Sequence, residues 1–306
     1  MKNKFSKIKM LLFLLVSFYL LFLLWNNVDF SKKMHYSFYS NITIFNDTLI
    51  YNTSIIDSAK PIFLPRGQNA ILLLHGMGGT PLELKELAYY LAEYNITVFV
   101  PLMDYQGRDY GDLASYDGKI VYNKTLFYLD ILQKYYTEVF IGGLSTGGLL
   151  SLKLAENRKV SGVLSYSSSI AYGSDFLDKI SFGTFKILSY ITPSLRRIEY
   201  GLARNQSIAD FLPSFDRLPV HILLEGEKLK KEVNANLSRI DEPILILQST
   251  WDNRATPSSA KYIYDRVSSL NKSLVYLYKS GHVITMDYDK NRVFELSRDF
   301  IFNFGK

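Results

Sequence analysis

Val139-Phe140-Ile141-Gly142-Gly143-Leu144-Ser145-Thr146-Gly147-Gly148-Leu149-Leu150 is the stretch on which the reading of this chain turns. An apolar, β-branched run enters Gly-x-Ser-x-Gly, and a helical apolar pattern (Leu149, Leu152, Leu154) leaves it. In that context the motif predicts a sharp strand-to-helix turn that lifts the Ser145 hydroxyl out of a sheet. Gly143 and Gly147 lack a Cβ, so strand and helix can pass close together while Ser145 takes an unfavourable backbone conformation. A glycine-rich turn with an idle serine is the competing reading. The strand before and the helix after favour a nucleophile.

Working outward, short apolar strands alternate with helices. Ala70 to Leu74 is a continuous apolar run, as expected of a strand buried on both faces. It leads into His75-Gly76-Met77-Gly78-Gly79 and then a helix, with Thr80 as N-cap, Pro81 at the first position and Glu83 closing a capping box. Thr97 to Val100 reads as a strand, Ile120 to Tyr136 as a helix, Glu138 to Gly142 as the strand before Ser145, and Val160 to Ser165 as the next. Ile244 to Leu247 and Ser273 to Tyr278 are further strands, with helices over Ser258 to Val267 and Asp289 to Phe304. The rhythm predicts an α/β fold, a mostly parallel central sheet flanked by helices. It breaks between about 168 and 241, where Phe176, Leu177, Ile180, Ile187, Leu188 and Ile191 recur at helical spacing and Pro193, Pro213 and Pro219 punctuate. That stretch reads as a mostly helical insertion. Residues 34–69 alternate apolar and polar, as short antiparallel edge strands do.

Composition narrows the function. The net charge of +6 is concentrated at the N-terminus: residues 1–33 carry six lysines against Asp29, leaving 29 basic and 28 acidic side chains in the rest. No basic face is implied, so nucleic acid is not an expected partner. Cysteine is absent, and His35, His75, His221 and His282 show no ligand spacing, so no metal is expected. Met10 to Trp25 is sixteen residues without a charge, about 24 Å as a helix against a hydrocarbon core of about 30 Å. Lys7 and Lys9 can snorkel and Trp25 suits an interface. No Ala-x-Ala-like site follows, so residues 1–33 are read as a signal anchor in preference to a cleaved secretory signal. The lysine bias places the N-terminus inside and the domain over 34–306 outside. A cleaved segment makes the protein secreted instead.

A serine nucleophile needs a base, oriented by a carboxylate. His282, in Ser280-Gly281-His282-Val283, lies past the last predicted strand and before the last helix. Asp252 follows the strand over Ile244–Leu247, whereas Asp241 and Glu242 precede it and Asp265 falls on a helix face. Ser145, Asp252 and His282 therefore share the carboxyl edge of the sheet. The developing oxyanion needs two backbone donors. The N–H of Thr146, at a helix N-terminus, supplies one, and the N–H of Met77, in the loop after the first buried strand, the other. His75 is expected to brace that loop.

HGMGG, GLSTGG, STWDNRATP and SGHVITMD, in this order, resemble the carboxylesterase and monoacylglycerol-lipase branch of the α/β-hydrolases from about Ala70 to Lys306. The resemblance implies Ser145 as nucleophile, Asp252 as acid, His282 as base, a lid over an acyl site, and cofactor-free ester hydrolysis. Where relatives carry Gly-His-Gly, this chain has Gln106-Gly107-Arg108-Asp109. The expected activity is hydrolysis of fatty-acyl esters such as monoacylglycerols. A serine peptidase, an acyltransferase, or a non-catalytic surface-binding protein on the same fold are the alternatives.

Overall fold

The computed structural model describes residues 43–45, 48–50, 59–107, 113–170, 187, 189–196, 202–212 and 217–305. The apolar segment over 10–25, Arg108 with Asp109, and most of the first half of the insertion lie outside these. Among the described residues no helix is long and apolar enough to cross a membrane.

A seven-stranded sheet organises the molecule. Its strands are β3 (Ile62–Leu64), β4 (Asn69–Leu74), β5 (Thr97–Val100), β6 (Glu138–Leu144), β7 (Gly162–Tyr166), β10 (Ile244–Ser249) and β11 (Lys272–Leu277), in the order β11-β10-β7-β6-β4-β5-β3. All neighbours pair in parallel except β3, which closes the edge antiparallel to β5 with Ile62 opposite Val100. An antiparallel hairpin, β1 (Thr43–Phe45) with β2 (Thr48–Ile50), precedes it. The described strands within residues 34–69, β1 to β3, thus pair antiparallel.

Side chains alternate across the sheet with period two and feed two cores. Ile71 and Leu73 of β4, Phe140 of β6 and Leu245 and Leu247 of β10 face α1 (Leu82–Glu93) and α7 (Lys290–Phe304), packing on Leu84, Leu87, Leu91, Val293 and Ile301. Ala70, Leu72, Leu74, Ile141 and Ile246 face the other way, onto α2 (Gly118–Tyr135), α3 (Thr146–Ala155) and α6 (Pro257–Arg266). The strands are buried on both faces, which is why they read as unbroken apolar runs.

One local expectation is corrected. Helix α1 starts one residue later than predicted. Its N-cap is Pro81, which has no side-chain acceptor, and Thr80 Oγ1 lies 3.4 Å from the Leu82 N–H. An oxygen of Glu83 accepts the Gly76 N–H instead. The insertion, read as mostly helical, carries one element besides helix among its described residues. It contains an antiparallel ribbon, β8 (Ser194–Arg196) with β9 (Arg217–Pro219), beside α4 (Gln206–Phe211) and α5 (Val220–Asn236). Ile222, Leu229 and Val233 of α5 join the same core as Leu149 and Leu152, so this helix also completes the layer beside α3.

Chain order reverses around β4: β5 lies on one side of it and β6 on the other. The helices that follow β4 and β6 pack on opposite faces of the sheet, so a topological switch point falls between these two strands. In open α/β sheets ligands bind outside the carboxyl ends of the strands at such a point.

Candidate active site

Ser145 follows β6 and caps α3 with φ 56° and ψ −116°, a positive-φ conformation that costs a non-glycine residue free energy. Two hydrogen bonds hold it there: its N–H donates to Tyr166 O at 2.8 Å, and its carbonyl accepts the Leu149 N–H at 3.1 Å. The flanking glycines are obligatory. A Cβ on Gly147 would stand 2.0 Å from Leu74 O, and one on Gly143 2.4 Å from the Gly147 carbonyl carbon. The turn predicted from sequence is present, and it leaves Ser145 and Thr146 partly exposed. The Thr146 N–H opens α3, where first-turn amides have no intrahelical acceptor.

His282 and Asp252 meet. His282 Nδ1 lies 2.8 Å from Asp252 Oδ2, and both residues are buried. Burial alone would raise the Asp252 pKa. The facing His282 charge, its hydrogen bond and the N–H groups of Ala255 and Arg254 outweigh that and hold it below the usual carboxylate range. An ionised carboxylate only accepts, so Nδ1 carries the proton. With Nδ1 committed to Asp252, Nε2 is the ring nitrogen left to accept a proton. The other oxygen, Oδ1, accepts from Arg254 N at 2.8 Å and Ala255 N at 2.9 Å, while Gln248 Nε2 donates to Oδ2 at 3.0 Å.

The loop after β4 is held from beneath. Buried His75 uses both ring nitrogens: Nδ1 donates to Gly76 O at 3.0 Å, and Nε2 accepts the Met103 N–H at 3.1 Å. Burial lowers its pKa to about 4, partly opposed by the bond to Gly76, so it is neutral and braces the loop as expected. Gly76 O also accepts from Gly79 N at 3.1 Å. With that carbonyl pulled inward, planarity of the trans peptide turns the Met77 N–H the opposite way. Gly78 N donates to Gln106 Oε1 at 2.7 Å, which fixes the other side of Met77.

These parts converge. A Cβ built on Gly76 would lie 3.6 Å from Ser145 Cβ, so the Met77 loop abuts the serine. Thr285, three residues past His282, donates from Oγ1 to Glu83 O at 2.6 Å, tying the histidine loop to α1 beneath the Met77 loop. No hydrogen bond joins Ser145 to His282 in this structure. Such contacts commonly tighten only with substrate bound. Among the described residues no three His, Asp or Glu side chains converge as metal ligands.

Comparison with known proteins agrees with this architecture. Residues 65–289 match the family description of the serine aminopeptidases S33, Hydrolase_4. The chain belongs to the Hydrolase_4 family. Among curated proteins it is 27% identical over 257 residues to a thermostable monoacylglycerol lipase of Bacillus sp. (strain H-257), covering 80% of this chain and 95% of that one. It is 26% identical over 243 residues to a carboxylesterase of Bacillus subtilis (strain 168), covering 79% and 96%. Of solved structures, one from work on the metagenome-derived lipolytic enzymes LipS and LipT superposes with a TM-score of 0.75 at 22% identity over 81% of this chain and 99% of that one. A soluble variant of the Saccharomyces cerevisiae monoglyceride lipase gives 0.71 at 17% over 87% and 97%. At those identities the structures establish the fold, and the α/β-hydrolase resemblance read from the motifs is borne out.

This Hydrolase_4 chain also uses residues to which the sequence reading gave no place in the site. Gln106, Gln248, Glu83 and Asp287 are all buried and all hold backbone or side chains of the candidate site. Asp287 carried one signal, an acid five residues after the histidine of a Gly-His motif. Gln106 carried none, its partner Gly78 lying 28 positions away; Gln248 stands on β10 four residues before its partner Asp252, and Glu83 showed only its capping-box spacing. His221, set aside as a base, donates from Nε2 to Tyr116 O at 2.7 Å and fastens α5 to the main domain.

Proposed function

We propose that this protein is a serine hydrolase of carboxylic esters carrying a fatty-acyl chain, such as monoacylglycerols, acting through an acyl-enzyme on Ser145. The observation that carries this reading is the 2.8 Å Asp252–His282 pair, at the same sheet edge as a serine held at positive φ. His282 Nε2 takes the Ser145 hydroxyl proton as Oγ attacks the ester carbonyl carbon. The N–H groups of Met77 and Thr146 receive the oxyanion. As the tetrahedral adduct collapses, the C–O bond to the alcohol breaks and His282 returns the proton to the departing alkoxide. Water, deprotonated by His282, then attacks the acyl-Ser145 ester; the bond from the acyl carbon to Oγ breaks, His282 returns the proton to Oγ, and the fatty acid leaves. The lipid part of the reading draws on the relatives named as monoacylglycerol lipases and on the expected lid over 168–241. The N-terminal segment over 10–25 is proposed to tether the domain to a membrane, facing outward.

The test is turnover of p-nitrophenyl esters of graded chain length and of 1-monoacylglycerols, run beside aminoacyl p-nitroanilides. Ester hydrolysis lost in Ser145→Ala, together with loss of fluorophosphonate labelling, supports the reading. Labelling retained in Ser145→Ala refutes the nucleophile, and anilide turnover exceeding ester turnover favours a peptidase.

A further inference from the structure

Glu83 is a carboxylate in the first turn of α1, only 8% exposed, and it touches the elements on either side of Ser145. Its Oε2 accepts the Gly76 N–H at 2.8 Å, and its main-chain oxygen accepts Thr285 Oγ1 at 2.6 Å. The carboxylate lies flat on Gly79, where a Cβ would stand 2.3 Å from Oε1. A negative charge in the first turn is favourable for the helix, but an exposed glutamate would serve that end as well. Burial against this loop calls for another account.

The peptide linking Gly76 to Met77 is oriented by the bonds to Gly76 O from His75 and Gly79. The preceding peptide, linking His75 to Gly76, has its N–H held by Glu83. Both planes flanking Gly76 must be set for the Met77 N–H to point at a developing oxyanion, and donors for such charge are effective only when held in place beforehand. We propose that Glu83 is a positioning residue: it fixes the peptide before Met77 through its carboxylate, and registers that loop against the His282 loop through its carbonyl oxygen. The inference rests on the proposed roles of Ser145, Met77 and His282.

What the position requires is an acceptor, not a charge. Glu83→Gln keeps an oxygen for Gly76 and is expected to hold kcat within about fivefold. Glu83→Leu keeps the volume and leaves the Gly76 N–H without that acceptor. Loss of one oxyanion donor costs about 10²–10³ in kcat, so Glu83→Leu is expected to lose about 10²-fold with KM within about threefold. Affinity for an alkylboronic acid, which mimics the tetrahedral adduct, should fall in parallel, while affinity for an unreactive fatty amide stays. Gly79→Ala, whose Cβ pushes the intact carboxylate aside, should reproduce the Leu pattern. A merely structural Glu83 would lower melting temperature without separating boronate from amide binding. That outcome, unchanged kcat in Glu83→Leu, or failure of Gln to rescue a folded protein overturns the proposal. Should Glu83→Leu not fold, Gly79→Ala is read in its place; if that also unfolds, Glu83 is scaffold and the proposal falls. Wild type and Ser145→Ala run alongside: no wild-type hydrolysis sinks the ester reading, whereas hydrolysis lost in Ser145→Ala but kept in Glu83→Leu sinks only this inference.

Discussion

Asp287 and Arg204, far apart in sequence, are joined by a 2.6 Å hydrogen bond from the Arg204 N–H to Oδ2, the same oxygen that accepts the Gly281 N–H at 2.6 Å. Oδ1 accepts from Asn205 and Tyr288. One buried carboxylate thus fastens the insertion to the loop that carries His282, with a further bond from Val283 N to Leu202 O.

Asp287→Ala is expected to leave several backbone donors without acceptors and cost about 3 kcal/mol of stability. It should also lower kcat, because the loop bearing His282 loses its anchor just before the histidine. Asp287→Asn keeps an oxygen and should lose less on both counts. Denaturant unfolding and ester turnover check this. An Ala variant as active and as stable as wild type would show that the clamp is idle.

Asp252→Asn tests proton placement at His282. Oδ1 is committed to the Arg254 and Ala255 amides, so an asparagine is held with its NH₂ toward His282 Nδ1. That donor forces the imidazole proton onto Nε2, where it cannot accept from Ser145. The expected loss is about 10³–10⁴ in kcat, with the fold retained. Nitrogen chemical shifts of His282 should report the change of tautomer. Full activity with an unchanged tautomer would remove Asp252 from the mechanism.

Buried His75 predicts an acid limit to stability. Its folded pKa of about 4 lies below the unfolded 6.5, so the unfolded state binds the additional proton between them. Stability therefore falls as pH drops through 6.5 and continues to fall to about 4, by about 3 kcal/mol in total. The depressed Asp252 carboxylate acts in the same direction, its contribution lost as pH falls through its folded value. His75→Phe should be less stable at pH 7 yet narrow its deficit toward pH 4. A deficit constant from pH 7 to pH 4 would mean that His75 does not control this limit.

Deleting residues 1–33 should separate tether from chemistry. It removes five of the six net positive charges and the apolar segment, while every proposed catalytic group lies between Met77 and His282. The truncated protein is expected to hydrolyse small soluble esters at close to the full-length rate and vesicle-borne esters more slowly. Full-length protein should resist carbonate extraction from membranes. Release by carbonate would remove the anchor, and a domain that resists protease in sealed cells would reverse the topology.

What the sequence determined by itself is what local physics writes into short stretches. The five-residue turn around Ser145 excludes side chains at Gly143 and Gly147, so it leaves a motif. The two-sided burial of β4, β6 and β10 demands unbroken apolar runs, and strand-to-helix alternation then implies a parallel sheet. Asp252 and His282 could be chosen because both follow strands whose carboxyl ends must face the Ser145 edge. Tertiary structure decided everything that depends on partners remote in the chain. Glu83 reads as a helix cap and instead holds the Gly76 N–H, while its carbonyl meets Thr285 across 202 positions. Gln106 has no local pattern, because what makes it necessary is a backbone donor that arrives from another loop. The β8–β9 ribbon was hidden for the same reason: three-residue strands are too short to show a period, and they exist only where the insertion folds back on itself. Periodicity records which face of an element is buried, and only the folded chain records which buried polar groups must find one another.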